Sequence, residues 1–383
     1  YKVTVPFNNL IIDFIDDIAQ SINRDKNIST MTDIKSFGFW ARRKNLVSMK
    51  ENFLNGGFRS AIGLIFHVPP TNTPINLVYS LFFGLITGNA NIVKVPSKFY
   101  FQSNYLIKLI EKTLKKKKYL KLKSMIYFAK YSSLSNELTN IISLSVDRRM
   151  IWGGDSTVKN LKKFITKPNC IDYTFPDRYS FSVLNYDKFI NLSLEDSKRL
   201  VKNFFNDSYI FDQNACSSPH LIAWYSDKKI NDQNKNKFWK LLENVIKSEN
   251  INYPNSVIID KYDVLISNII SFSNVKKYNF FSKNLSVIDL KSIHKNNSDQ
   301  RGIWGLFYQI NIKNLNEIFK ISSKKYQTLT YFGFDKNFFT NFLKEKPING
   351  IDRIVPIGRA LEMSNNWDGF NFFKILTRNI DIK

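Results

Sequence analysis

Cys216 is the residue whose type and neighbours most directly suggest chemistry. It lies in FDQNACSSPH, among small and polar residues that follow an aromatic stretch. A cysteine of this kind is most often a small buried hydrophobe. We nevertheless predict that Ser217, Ser218 and Pro219 begin a helix, whose N–H groups and dipole would stabilise a thiolate. His220 would then lie one helical turn away, as an acid–base partner of the sulfur or only as a cap of the turn.

The remaining cysteine, histidines and glycine pairs give weaker signals. Cys170, in KPNCIDY, has no such neighbours and is interpreted as structural. The three histidines are far apart in the sequence and lack the i,i+4 pairing of a helical metal site. Two cysteines are too few for a disulfide framework or a four-thiolate zinc site. Gly153 and Gly154, after a short apolar run, are by themselves a weak phosphate-loop signal. We therefore expect no metal.

Apolar spacing predicts strands that alternate with helices around these residues. Strands separated by helices of about 10–15 residues indicate βαβ units and a parallel sheet. The predicted strands are 60–68, 91–95, 124–128 and 150–152. The predicted helices are 10–22, 32–53, 74–87 with Gly88 and Asn89 at its C-cap, 102–114, 136–144, 195–205 and 235–247 with Asn234 as its N-cap.

Length and charge limit the classes of protein that the chain can belong to. At about 150 residues per domain, 383 residues predict two domains. The net charge of +24 comes from lysines spread along the chain, and no nucleic-acid-reading motif accompanies them, so we expect no nucleic-acid partner. A field of this sign favours acidic or phosphorylated partners. No apolar run reaches the roughly 18 residues of a membrane span, and no secretory signal is recognised near the start. We expect a cytoplasmic protein.

Four segments stand out in order along the chain: GLIFHVPPTNTPINLVYSLFFGLITGNANIVKVPS, IWGGDSTV, DQNACSSPH and RIVPIGRALEMSNNWDGF. Together they resemble the acyl-CoA reductase (LuxC-type, luminescence fatty-acid reductase) family of the aldehyde dehydrogenase superfamily. The resemblance implies an α/β, aldehyde-dehydrogenase-like fold of two Rossmann-like domains with the active site between them. We expect a cofactor-binding domain at 1–190, to which 350–383 returns, and a catalytic domain at 191–349.

The resemblance also implies roles for individual residues. Cys216 matches the nucleophile, and Asn72 in PPTNTP matches the asparagine whose amide points into the oxyanion hole. Lys94 matches a lysine near the adenosine ribose, and Ser97 stands where NAD-preferring relatives often carry Glu. We therefore expect NADPH, because a Glu there would repel a 2′-phosphate. The residues assigned to the cofactor are Thr71, Lys94, Ser97, Gly153, Gly154 and Asp155.

The implied reaction is the reduction of an acyl thioester, either acyl-CoA or a carrier-bound acyl group, to an aldehyde through an acyl-cysteine. The glutamate that hydrolytic relatives use to activate water falls on Thr174, which favours reduction over hydrolysis. Asp172 and Asp177 remain open as the acid–base group. A hydrolytic aldehyde dehydrogenase and a non-catalytic subunit that docks a carrier are the alternatives. We expect an acidic acyl carrier or an acyl-activating protein as partner, and a homo-oligomer.

Overall fold

The computed structural model describes residues 1–54, 57–132, 134–346 and 348–382. The chain divides into two compact units, Tyr1–Asp177 with Met363–Lys383, and Arg178–Glu362. None of the helices in the described ranges combines the length and the apolar character that a bilayer crossing requires.

The first unit is built on a five-stranded parallel sheet. Its helices are α1 (Asn9–Arg24), α2 (Thr32–Trp40), α3 (Arg43–Leu54), α4 (Asn76–Ile86), α5 (Phe101–Leu114), α6 (Asn136–Ser145), α7 (Asp155–Leu161) and α14 (Phe372–Ile375), with 3₁₀ segments at Lys26–Ile28 and Lys117–Met125. Its strands are β1 (Arg59–Ala61), β2 (Leu64–Val68), β3 (Ala90–Lys94), β4 (Ile126–Ala129), β5 (Arg148–Trp152), β6 (Ile171–Phe175), β14 (Asn366–Trp367), β15 (Phe370–Asn371) and β16 (Thr377–Asn379). The order of the main sheet is β4-β3-β2-β5-β6.

The end of α4 is determined by a glycine. Gly88 has φ +85°, and its N–H donates to Leu85 O at 2.8 Å while that of Asn89 donates to Gly84 O at 3.0 Å. These two bonds form a Schellman cap. A Cβ at Gly88 would lie 2.2 Å from the carbonyl oxygen of Thr4, so both the turn and the close approach of the N-terminal segment require glycine. The C-cap predicted at Gly88 and Asn89 is confirmed.

Two predicted elements of the first unit are each divided in the structure. The stretch 32–53 forms α2 and α3 rather than one helix, and 60–68 forms β1 and β2. Between the two strands Gly63 has φ +146°, and a Cβ there would lie 2.2 Å from a carboxylate oxygen of Asp147. That carboxylate accepts the N–H of Leu64 at 2.8 Å. The chain therefore bends at Gly63, and only β2 enters the parallel sheet.

The second unit is built on a seven-stranded sheet. Its helices are α8 (Tyr186–Ile190), α9 (Leu194–Tyr209), α10 (Asp232–Ser248), α11 (Asn255–Ser271), α12 (Asn316–Phe319) and α13 (Lys336–Glu345), with a 3₁₀ segment at Lys295–Asp299. Its strands are β7 (Tyr179–Asn185), β8 (Pro219–Tyr225), β9 (Val275–Ser282), β10 (Leu285–Leu290), β11 (Leu306–Ile312), β12 (Tyr326–Phe332) and β13 (Arg353–Pro356). The order is β13-β12-β7-β8-β11-β10-β9, and the strands run parallel except for β9.

Hydrophobic side chains cover both faces of this second sheet. Strands buried on both faces consist of nearly continuous apolar runs, as β8 and β11 do. One carboxamide lies inside this core. The Oε1 atom of Gln309 on β11 accepts from the indole N–H groups of Trp224 and Trp239, each at 2.9 Å. This buried oxygen therefore has the hydrogen-bond partners that burial requires.

The N-cap predicted for the helix at 235–247 is wrong. Helix α10 begins earlier, at Asp232, and Asn231 rather than Asn234 is its N-cap. The side chain of Asn231 accepts the N–H of Gln233 at 2.8 Å. Asn234 is instead inside the first turn, where its amide donates to the hydroxyl of Tyr186 at 2.8 Å. A tertiary contact therefore uses the asparagine that the sequence pattern assigned to the cap.

Strand pairing determines where the chain passes from one unit to the other. The expected boundary was near residue 190, but β7 pairs with β8 and β12, so the first unit ends at Asp177. The expected return was at residue 350, but β13 pairs with β12, so the return begins at Met363. In the first unit β16 pairs with β1, with Asn379 opposite Arg59. The functional labels of the two units stay predictions.

Candidate active site

Cys216 lies in a tight turn between α9 and β8. The N–H of Ser218 donates to Ala215 O at 2.9 Å, which closes a turn with Cys216 and Ser217 at its centre. The predicted helix start at this point is wrong, because β8 begins at Pro219 and is paired on both sides, with β7 and β11. No helix dipole therefore acts on the sulfur from this segment, and the argument that placed His220 one helical turn away does not hold.

Two buried polar side chains hold this turn in place. Gln213, at φ 60°, accepts the N–H of Gly305 at 2.7 Å and donates to Leu306 O at 3.2 Å. The hydroxyl of Ser218 donates to the backbone oxygen of Asp207 on α9 at 2.8 Å. These bonds connect the turn to the preceding helix and to the start of β11, so its backbone is supported from two sides.

The sulfur of Cys216 contacts a residue from a distant strand. Nε2 of Gln327, at the start of β12, lies 3.2 Å from Sγ of the half-buried Cys216. The hydroxyl of Thr328 donates to Oε1 of Gln327 at 3.1 Å. Both β12 residues are fully buried. Gln327 was not singled out from the sequence, and its only signal there is a polar pair, Gln-Thr, inside an otherwise strand-like run.

Ser180 on β7 connects the turn to β12. Its hydroxyl donates to the carbonyl oxygen of Cys216 at 2.7 Å and accepts the N–H of Thr328 at 3.1 Å. Register explains the arrangement, because Tyr326 pairs with Tyr179 but Leu329 pairs with Phe181. One residue of β7 thus faces two residues of β12. Such a bulge redirects side chains, and here it accompanies the approach of the Gln327 amide to Sγ.

His220 is buried on β8, at a second irregularity, between Pro219 and Leu221. Its Nδ1 lies 3.0 Å from Gly302 O, and its ring stacks on Tyr179 with centroids 5.4 Å apart. Burial, with a smaller contribution from the charge of Arg301, lowers the pKa of His220 to about 3. The imidazole is therefore neutral near pH 7 and donates its Nδ1–H to the backbone. Its catalytic role stays a prediction.

In the first unit, the sequence-predicted cofactor residues lie at one edge of the sheet. The carboxyl ends of adjacent parallel strands lead into them: Thr71 and Asn72 follow β2, Lys94 ends β3 and Ser97 comes three residues later, and Gly153, Gly154 and Asp155 follow β5. In the strand order β4-β3-β2-β5-β6, the chain adds strands on one side of β2 and then continues on its other side, so a topological switch point lies at β2. Open α/β sheets bind ligands in the crevice at such a point.

Lys94 and Ser97 have the chemistry that a phosphorylated cofactor needs at this edge. The ammonium of Lys94 lies 4.7 Å from the ring centroid of Tyr131, and partial burial lowers its pKa. Within the described residues it makes no ion pair with a carboxylate. Ser97 is exposed and neutral. A cation without a carboxylate partner among the described residues, followed three residues later by a neutral residue, is compatible with an anionic phosphate.

Asp172, a candidate acid–base residue, is bound to an arginine. Its two oxygens accept from Nε and Nη2 of Arg149 at 2.7 and 2.6 Å, and Arg149 is almost completely buried. This bidentate pair connects β5 to β6, where the two residues are in register. Thr174 lies on the same strand, opposite Ile151. A carboxylate with both oxygens occupied is a structural clamp.

Cys170 packs at the edge of the apolar core of the first unit. Burial raises the pKa of its thiol, which opposes thiolate formation. Among the described residues, no group of three or more His, Cys, Asp or Glu side chains is arranged to hold a metal ion.

Comparison with solved structures identifies the class of fold. The NAD-dependent benzaldehyde dehydrogenase from Corynebacterium glutamicum has a TM-score of 0.65 at 11% identity, covering 98% of this chain and 85% of that chain. Lactaldehyde dehydrogenase from Escherichia coli has a TM-score of 0.66 at 10% identity, with 96% and 85% covered. The NADP complex of a glyceraldehyde-3-phosphate dehydrogenase from Methanocaldococcus jannaschii has a TM-score of 0.63 at 14% identity, with 97% and 88% covered. The chain has the aldehyde dehydrogenase fold.

The family follows from the sequence itself. The model of the acyl-CoA reductase (LuxC) family matches residues 48–379, so the chain belongs to that family. No curated protein matches it at a significant level. Both the fold class and the family that the four segments indicated are confirmed, and the chain is an oxidoreductase of the acyl-CoA reductase type.

Proposed function

We propose that this chain reduces an acyl thioester to an aldehyde with NADPH, through an acyl group bound to Cys216. The observation that carries the proposal is the setting of Cys216. Its sulfur lies at a turn held from two sides and receives an amide N–H from Gln327 at 3.2 Å. A thiolate is the nucleophilic form of cysteine, and a neutral N–H donor stabilises it without neutralising it.

The proposed reaction has two halves, acylation of Cys216 and reduction of the acyl-enzyme. The Cys216 thiolate attacks the acyl carbon of the thioester, the bond from that carbon to the leaving sulfur breaks, and CoA or the carrier thiol departs with a proton from solvent. A nicotinamide cofactor, when bound, would supply a hydride, and the acyl carbon attached to Sγ would accept it. The resulting thiohemiacetal oxyanion collapses, the bond from carbon to Sγ breaks, and the aldehyde leaves. The thiolate is regenerated, and the acyl group has gained two electrons.

Each half passes through an oxyanion that needs positioned donors. We assign this role to the backbone N–H of Cys216 and to the side-chain amide of Asn72, as the family resemblance implies. Losing one such donor typically lowers kcat by about 10²–10³-fold. The turn that holds Cys216 is supported by Gln213 and Ser218, which keeps its N–H in a fixed direction through both halves.

Hydrolysis of the acyl-enzyme, the alternative reaction, needs a carboxylate that activates water. At the position that the family resemblance suggests, the residue is Thr174, and Asp172, two residues earlier on the same strand, is held by Arg149. This arrangement favours survival of the acyl-enzyme until it is reduced. The cofactor in the proposal is NADPH, because Lys94 offers a cation and Ser97 introduces no negative charge beside a 2′-phosphate.

Intact-protein mass after mixing with acyl-CoAs of several chain lengths, without nucleotide, tests the proposal. One acyl group should be added to the protein, and the adduct should disappear in Cys216→Ala together with aldehyde formation. Cys170→Ala is the matched control, because Cys170 is the second half-buried cysteine of the chain, and it should keep both. An adduct that persists in Cys216→Ala would contradict the assignment.

A further inference from the structure

The buried amide of Gln327 has a fixed orientation towards the sulfur. Its oxygen accepts the hydroxyl of Thr328 at 3.1 Å, which leaves the NH₂ group to point at Sγ of Cys216 at 3.2 Å. Gln327 is fully buried, and a buried amide is costly unless its polar atoms have partners. The bulge in β12 and the hydroxyl of Ser180 hold the strand and the turn together. The contact is therefore built into the sheet.

Resting on the proposed function, we propose that Gln327 is a catalytic residue: its amide N–H donates to Sγ and holds Cys216 as a thiolate directed at the acyl carbon. A hydrogen bond to a charged acceptor is stronger than one to a neutral acceptor. The same N–H therefore stabilises the thiolate more than the thiol, and more than the thioester sulfur of the acyl-enzyme. It favours the form of the enzyme that attacks and the form that the final collapse regenerates.

Other polar and charged side chains surround the Cys216 turn. His220 is neutral and bonded to Gly302 O. Burial raises the pKa values of Tyr179 and Tyr326, so both hydroxyls stay protonated, and neither makes a hydrogen bond within the described residues. Charged groups on the surrounding elements include Arg178, paired with Asp352, Lys325, paired with Asp299, and Arg301, which acts on His220. The carboxylate of Asp207 on α9 accepts the N–H groups of Gly358 and Ala360 at 2.6 and 2.9 Å, and burial raises its pKa to about 7. The hydrogen bond from the Gln327 carboxamide is a direct contact with the sulfur.

The test is the pH dependence of Cys216 alkylation by iodoacetamide, in a Cys170→Ala background so that one thiol reacts. In this background the thiol of Cys216 should titrate below the ordinary cysteine value of about 8.5. Gln327→Met, which keeps the length and removes the donor, should raise that pKa by about one unit, a tenfold change in the ionisation constant. Gln327→Glu, which keeps the shape and adds a negative charge, should raise it at least as far.

The matched control is Gln309→Met, which removes another buried carboxamide of the same sheet. The Gln309 oxygen accepts from Trp224 and Trp239, and its NH₂ group donates to Asp289. It should lose stability without moving the pKa of Cys216. An unchanged pKa in both Gln327 variants would overturn the proposal. So would a pKa at or above about 8.5 in the protein with Gln327 intact, and this second measurement needs no variant at Gln327 to fold.

Failure of this inference and failure of the proposed function give different results. Alkylation reports the thiolate alone and needs neither an acyl donor nor a cofactor. If acyl groups attach in Cys216→Ala, the proposed function fails whatever the titration shows. If the adduct depends on Cys216 but the Gln327 variants titrate like the parent, only the role of Gln327 fails.

Discussion

Replacing Ser180 by alanine should show whether hydrogen bonds to the Cys216 turn contribute to activity beyond their contribution to the stability of the core. The hydroxyl of this fully buried residue makes two bonds, donating to Cys216 O at 2.7 Å and accepting from Thr328 N at 3.1 Å. Ser180→Ala removes both and leaves the partly buried carbonyl of Cys216 and the buried N–H of Thr328 without this partner. Each such group costs about 1–3 kcal/mol. We therefore expect the free energy of unfolding of the second unit to fall by roughly 2–6 kcal/mol.

Ser182→Ala is the control from the same face of the same strand. Ser182 is also fully buried, and its hydroxyl bonds to the hydroxyl of Thr330 at 2.6 Å. Its loss leaves one side-chain group unsatisfied and should cost about 1–2 kcal/mol. The two serines differ in the contacts of their hydroxyls: that of Ser180 bonds to both the Cys216 turn and β12, whereas that of Ser182 bonds to Thr330.

Urea unfolding followed by tryptophan fluorescence and circular dichroism measures the stability of both variants, and kcat/KM with an acyl-CoA measures activity. A displacement of about 1 Å at a reacting group can cost on the order of 10²-fold in rate. We expect Ser180→Ala to lose kcat/KM by more than about tenfold, whereas Ser182→Ala should stay close to the parent. Equal losses of activity, or a smaller loss of stability in Ser180→Ala than in Ser182→Ala, would refute the reasoning.

Four further outcomes are expected. Ser97→Glu should shift the ratio of kcat/KM values from NADPH towards NADH, and a parent enzyme that already prefers NADH would contradict the cofactor proposal. If an acidic carrier delivers the acyl group, kcat/KM for the carrier substrate should fall more steeply with salt than that for the small thioester, and parallel curves would exclude steering by the +24 charge. Asp172→Asn should destabilise the first unit by about 3–5 kcal/mol in urea unfolding, because Arg149 keeps a buried charge without its partner, and it should retain aldehyde formation. Glu195→Gln, which removes one partner of an exposed ion pair, should change neither stability nor aldehyde formation. Burial lowers the pKa of His67 to about 4. The stability that depends on a neutral His67 is therefore fully present above about pH 6.5 and is lost as the pH falls towards 4, by up to about 3 kcal/mol. His67→Gln should flatten that part of the curve of unfolding free energy against pH.

Much of the first unit could be predicted from local pattern. Helices α1, α4 and α5 and strands β2 and β3 lie within a few residues of their predicted positions, because apolar periodicity and glycine caps act over one or two turns of chain. The expectations that failed depended on longer-range contacts. The segment predicted to begin a helix after Cys216 instead leads into strand β8, because β7 and β11 pair with that strand on both sides. Asn234 bonds to Tyr186 rather than capping its own helix.

The sequence by itself determined the family, the fold class and Cys216 as the candidate nucleophile, because each depends on residue types in short segments in a given order. The partners of that cysteine were decided by tertiary structure. Gln327 lies 111 residues from Cys216 in sequence, and Ser180 lies 36 residues away. Their contacts depend on the strand order β12-β7-β8 and on a one-residue bulge. Side chains alternate between the two faces of a strand, so a shift of one residue in register would point the Gln327 amide away from the sulfur.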